Sequence, residues 1–117
     1  MIQPTEIKLR RTENLLEVTF TGGFLASLPA EYLRVESPSA EVQGHNPDQR
    51  VLVAGKRHVG ITNIERTGNY AVRLIFSDGH ETGIFSWDYL HRLGLEHEDR
   101  WNAYLARLQT AGLSRDA

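Results

Sequence analysis

Two alternating runs open the chain. In "EIKLRRTENLLEVTF", Ile7 and Leu9 alternate with polar neighbours, and Leu16, Val18 and Phe20 do so again after the turn-like Thr12-Glu13-Asn14. A period of two places one set of side chains on one face of a strand, so the pattern predicts a hairpin. Gly22-Gly23 offers a second reversal, and "FLASL" predicts a third strand. Pro29 suits a first helical turn, so "PAEYLRV" predicts a short helix. Between 35 and 58 the pattern is weak, broken by Pro38, Gly44, Pro47 and Gly55, with one short strand expected in "RVLVAG".

Periodicity returns in "GITNIERTGNYAVRLIF", a hairpin turning at Thr67-Gly68-Asn69. "SDGHETGIF" extends it through Asp78-Gly79, a strong hairpin-turn dipeptide. Ser86 is placed to cap a helix over "WDYLHRL", with Asp88 favourable in its first turn and Gly94 placed to end it. A last helix is expected over 96–111, where Trp101, Tyr104, Leu105 and Leu108 follow the i, i+3, i+4, i+7 stripe of a buried helix face. The fold expected is a single α+β domain over 1–117, with antiparallel hairpins in one or two small sheets, two short helices and a C-terminal helix.

"FTGGFLASLPAEYL" and "FSDGHETGIFSWDYL" repeat one order: a strand-ending Phe, a glycine turn, a strand, then a helix carrying Tyr-Leu. The second copy is one residue longer. In this pairing Phe24 stands where the other copy has His80.

Composition narrows the function. With 117 residues the chain suits one domain, and 40% apolar with 24% charged residues is the balance of an ordinary globular protein. A net charge of −2 argues against a dedicated nucleic-acid binder, and the one dense basic cluster, Lys56-Arg57-His58, reads first as a solvated loop. No apolar run approaches the roughly 20 residues a membrane span needs, and "MIQPTEIKLRR" has no secretory apolar segment, so cytoplasm is the expected compartment. The absence of cysteine excludes disulfides, thiolate nucleophiles and Cys-ligated metals within the chain.

The candidate constellations are incomplete. His97-Glu98-Asp99 has the H-x-D form of a non-haem iron triad, but no histidine follows it, and it reads better as an acidic helix start. No nucleophile elbow and no phosphate-binding glycine loop is present. The serine-rich "LRVESPSAEVQGH" and His80, just past the Asp78-Gly79 turn, remain as the pair to explain.

Taken together, "LRVESPSAEVQGH" and "GNYAVRLIFSDGHETGIFSWDYLHRL" resemble the gamma-butyrobetaine hydroxylase-like N-terminal domain, from about Glu6 to about Leu93. This small β-rich module occurs alone in bacteria, at the front of gamma-butyrobetaine and trimethyllysine dioxygenases, and attached to iron–sulfur carrier ATPases. In the dioxygenases the resemblance implies a zinc site built from three cysteines of one loop and the histidine of Asp-Gly-His. Here those positions carry Ser37, Ser39, Val42 and His80, so the zinc site is not expected to transfer. Neutral hydroxyls are weak zinc donors and valine is none. What the resemblance does imply is that loop 37–45 packs against the His80 turn.

The expectation is therefore a non-enzymatic accessory or protein-interaction domain without a cofactor. The resemblance implies a link to iron–sulfur cluster assembly or trafficking, an iron–sulfur carrier ATPase as partner, and a capacity for homodimer contacts. The alternative is an iron or zinc protein using His80, His45, Asp78 and Glu41. A small hydrolase pairing His80 with Ser37 or Ser39 comes third.

Overall fold

The computed structural model describes residues 2–116. Two three-stranded antiparallel sheets carry the structure, β1(Pro4–Arg10)-β2(Leu15–Phe20)-β3(Leu25–Pro29) and β4(Ile61–Thr67)-β5(Ala71–Phe76)-β6(Ile84–Ser86), each with its strands in chain order. Helix α1(Ala30–Val35) follows the first sheet and α3(Trp87–Leu95) the second. The turn-length α2(Ala40–Gln43) lies in the loop between the halves, and α4(His97–Ala111) closes the chain. The fold is α+β, as the sequence pattern predicts.

The inward faces of both sheets form one core. Leu16, Val18 and Phe20 of β2 share it with Val72, Leu74 and Phe76 of β5, and Leu33 and Leu90 are supplied by the two helices. A smaller cluster joins Val35, Tyr104 and Leu108 to Leu52, Val53 and Ala54. The expected strand in "RVLVAG" is not formed. Residues 50–54 run as irregular chain under α4, where Tyr104 donates to the Val53 carbonyl at 2.7 Å. Leu105 departs from the expected stripe and is 36% exposed.

The two halves repeat one topology, a three-stranded antiparallel sheet followed by a helix. Each turn is closed by the same pair of backbone bonds, Gly23 N to Phe20 O and Phe20 N to Phe24 O in one, Gly79 N to Phe76 O and Phe76 N to His80 O in the other. Each hairpin slips register at the same place, between Pro4 and Glu6 and between Ile61 and Asn63. The helices also exchange equivalent bonds: Tyr32 Oη donates to Leu93 O, and Tyr89 Oη donates to Glu36 O.

That exchange explains Gly94, which lies inside α3 rather than ending it. A Cβ there would stand 2.8 Å from Ala26 Cβ and 3.1 Å from the Phe24 ring, so glycine lets α3 lie against β3. In the other half the small partner is on the strand instead. A Cβ on Gly83 would stand 2.5 Å from Ser37 Oγ. Ser37 thus occupies the place of Gly94, and Gly83 that of Ala26.

Candidate functional site

The turn 77–80 ends the β5 strand and the 37–43 segment leaves the end of α1. The equivalent packing in the other half is aromatic, with Phe24 against His91 at 5.2 Å between ring centroids. Substituting a histidine for that phenylalanine demands polar partners, because a buried imidazole has two nitrogens to satisfy.

The 37–43 segment supplies them. His80 is 6% exposed and Ser37 is fully buried. His80 Nδ1 lies 3.1 Å from Glu41 Oε2, and His80 Nε2 lies 2.9 Å from Ser37 Oγ. A carboxylate only accepts, so Nδ1 carries the proton; the neutral ring then accepts the Ser37 O–H at Nε2. Burial, followed by the positive charge of Arg34, holds the His80 pKa below its ordinary value and favours this neutral form, against the opposing pull of Glu41 and Asp78.

The loop is tied at further points. Ser39 caps α2 by accepting from Glu41 N, and its hydroxyl shares a 2.6 Å hydrogen bond with Thr82. Gln43 Nε2 donates to Ser37 O at 2.8 Å. Asp78 receives Lys56 at 2.6 Å and Arg34 at 2.8 Å. Burial alone would raise its pKa, but hydrogen bonds from Lys56, the His80 N–H and Arg34 lower it to about 2. Of the basic cluster, Lys56 pairs with Asp78, while Arg57 and His58 are exposed as a solvated loop would have them, Arg57 pairing with exposed Asp116.

Of the four positions aligned with the zinc ligands, Ser37, Ser39 and His80 sit in this one knot, and Val42 is buried beside them in the chain on α2. They do not fit a zinc ion: the serines are neutral, valine has no donor, and both His80 nitrogens already have partners. Arg34 Nη1 is buried without a hydrogen-bond partner among the described residues, on the side chain whose charge acts on His80.

The alternative set is not brought together. Glu41 reaches His80, but Asp78 is engaged by two cations and His45 lies with Asn46 and Arg50 along a separate shallow cleft. Among the described residues no group of three or more His, Asp or Glu is arranged to hold a metal ion. His97-Glu98-Asp99 opens α4, with the His97 ring stacked on Tyr32 at 4.4 Å.

Ser37–His80–Glu41 has the order of contacts of a hydrolase triad. A nucleophile must meet its substrate, however, and the Ser37 hydroxyl is buried against Gly83. The knot behaves chemically as a clasp. Sequence reading missed Thr82, Arg34 and Lys56 as parts of it. The one available signal was the S-x-E spacing of Ser39 and Glu41, an N-cap followed by an acid in the first turn.

Comparison with known proteins identifies the family and the fold. The family described as gamma-butyrobetaine hydroxylase-like, N-terminal, matches residues 7–91. Two NMR solution structures are each 47% identical, with TM-scores of 0.86 and 0.84; the matches cover 99% and 98% of this chain and 91% and 86% of theirs. A crystal structure from Acidithiobacillus ferrooxidans, a DUF971-family protein of unknown function, is 42% identical with a TM-score of 0.66. That match covers 79% of this chain and 92% of the other. No curated protein matches the chain. With its two β-hairpin halves, its Asp-Gly-His turn and a family match over most of its length, this chain belongs to the gamma-butyrobetaine hydroxylase-like N-terminal family.

Proposed function

We propose that the protein is a non-enzymatic interaction domain that keeps the family's loop-to-turn connection without zinc and serves iron–sulfur cluster assembly or trafficking by docking on a carrier ATPase. The observation that carries the non-enzymatic part is the clasp itself. Every polar atom of Ser37 and of the His80 ring is engaged inside the protein, which supports a structural task for residues that would otherwise be the nucleophile and base. The iron–sulfur link rests on the family resemblance alone.

Leu95, 64% exposed at the end of α3 beside half-buried Trp101, is the apolar feature best placed to meet a partner. The test is direct binding of the purified, untagged chain to a purified iron–sulfur carrier ATPase, measured by calorimetry. Saturable 1:1 binding that Leu95→Glu weakens supports the reading; absence of binding at about 100 μM, near −5.5 kcal/mol, overturns the partner. Elemental analysis of the same preparation examines the alternative. Stoichiometric iron or zinc, lost in His80→Ala, would replace the clasp with a metal site.

A further inference from the structure

A second polar cluster adjoins the clasp, sharing Gln43 with it. Glu36, Pro38, Gln43, Arg50, Tyr89, Arg92 and Arg100 line a cleft of about 320 Å³ between the 36–43 segment, α3 and α4. Its floor is Glu36, 2% exposed. Glu36 Oε2 accepts from Arg50 Nη2 at 2.7 Å and lies 3.5 Å from Arg100 Nη1. Arg100 is also held by Glu96 at 2.8 Å, and both Arg92 and Arg100 lie over the Tyr89 ring, 5.6 and 5.8 Å from its centroid. The Tyr89 hydroxyl is itself fixed on Glu36 O.

The charges do not balance. Arg92 has no ion pair among the described residues, and neither has half-buried Arg107 further along α4. Burial first, and then the charge of Arg50, lower the Arg107 pKa against the pull of Glu36, so its guanidinium stands within the field of Arg50. The three guanidinium groups that line the cleft are answered by the carboxylates of Glu36 and Glu96, on a chain whose net charge is −2. Crowding like charges is destabilising, and Glu36 fixes Arg50 and Arg100 at the wall of a cleft of small-ligand size. Guanidinium groups held rigidly by a carboxylate and an aromatic ring retain forked N–H donors for an incoming oxyanion.

We propose that this cleft binds a small oxyanion carrying two or more negative charges, a phosphate ester or a polycarboxylate, with Arg50, Arg92 and Arg100 as its donors. The site is independent of the docking surface proposed at Leu95.

The test uses the full ¹⁵N-labelled chain titrated with sodium pyrophosphate and, separately, with citrate, at constant ionic strength held with chloride. Saturable shifts centred on Gln43, Tyr89 and the arginine Nε–H groups are expected. Arg92→Gln should weaken binding about 10-fold or more, as expected for a charge-assisted contact. Arg92 makes no ion pair, and an unchanged melting temperature will show that the variant folds. Arg66→Gln, on a separate cleft, should bind like wild type. Tighter pyrophosphate assigns a phosphoryl-bearing ligand, tighter citrate a polycarboxylate, and equal affinities assign the shared multiple negative charge. Absence of saturation by about 10 mM, near −2.7 kcal/mol, overturns the proposal. So does an Arg92→Gln variant that binds both anions like wild type, or an Arg66→Gln variant weakened as much as Arg92→Gln.

Discussion

Replacing Ser37 by alanine removes one oxygen and tests whether the clasp holds the loop. The residue is fully buried, its Oγ serves His80 Nε2 at 2.9 Å, and it accepts from Ser39 N at 3.3 Å. Alanine nearly preserves the volume, so the cavity contribution is small and the lost hydrogen bonds dominate. A buried nitrogen left without its partner costs about 1–3 kcal/mol. For a chain of this size each kcal/mol moves the melting temperature by roughly 4 °C, so a fall of about 4–12 °C is expected. Urea unfolding followed by tryptophan fluorescence should show a lower midpoint with an unchanged slope. Amide exchange should rise at Ser39 and Gln43 as the loop loosens. Ser27→Ala, at an exposed position of β3, should stay within about 0.5 kcal/mol of wild type. If Ser37→Ala matches that control, the Ser37–His80 bond does not secure the loop and the clasp reading fails.

Gly94→Ala should destabilise by about 1–3 kcal/mol in urea melts, although alanine is the better helix former by about 1 kcal/mol, because its Cβ meets Ala26 at 2.8 Å. Gly83→Ala should be costly in the wild type, where the new methyl meets Ser37 Oγ. It should cost at least about 1 kcal/mol less in a Ser37→Gly background, which copies the Ala26/Gly94 pair of the other half; an additive double-mutant cycle would contradict that symmetry. His80 and His97 both have pKa values lowered on folding, chiefly by burial, so below the ordinary value near 6.5 the unfolded chain binds more protons. Stability should therefore fall as pH drops from about 7 through that value, and His80→Gln or His97→Gln should each flatten the slope of ΔG against pH. A further loss should follow as pH falls below the ordinary 3.8 of Asp78 towards its folded value of about 2.

Local pattern determined a good deal of this protein. Alternation set the two hairpins, the Gly22-Gly23 and Asp78-Gly79 turns set the second reversals into their third strands, and the Trp101–Leu108 spacing set the last helix. These are legible because strand faces and helix stripes are properties of neighbouring residues. The duplicated strand-turn-strand-helix order was also visible, and with it the exchange of Phe24 for His80. The resemblance at Asp-Gly-His and "LRVESPSAEVQGH" brought Ser37 and His80 together on paper.

The irregular 50–54 segment escaped, because its apolar residues bury against α4 rather than in a sheet ladder. Gly94 looked like a helix end because only its distance to Ala26, 68 positions earlier in the chain, reveals why a side chain is excluded there. Thr82, Arg34 and Lys56 joined the clasp, and Arg50, Arg92 and Arg100 gathered at one cleft with Glu36, through contacts across the fold that no spacing encodes. Sequence by itself determined which elements form and where a histidine replaced an aromatic ring. Tertiary packing alone decided which partners that histidine met, because a hydrogen bond requires atoms about 3 Å apart whatever their separation along the chain.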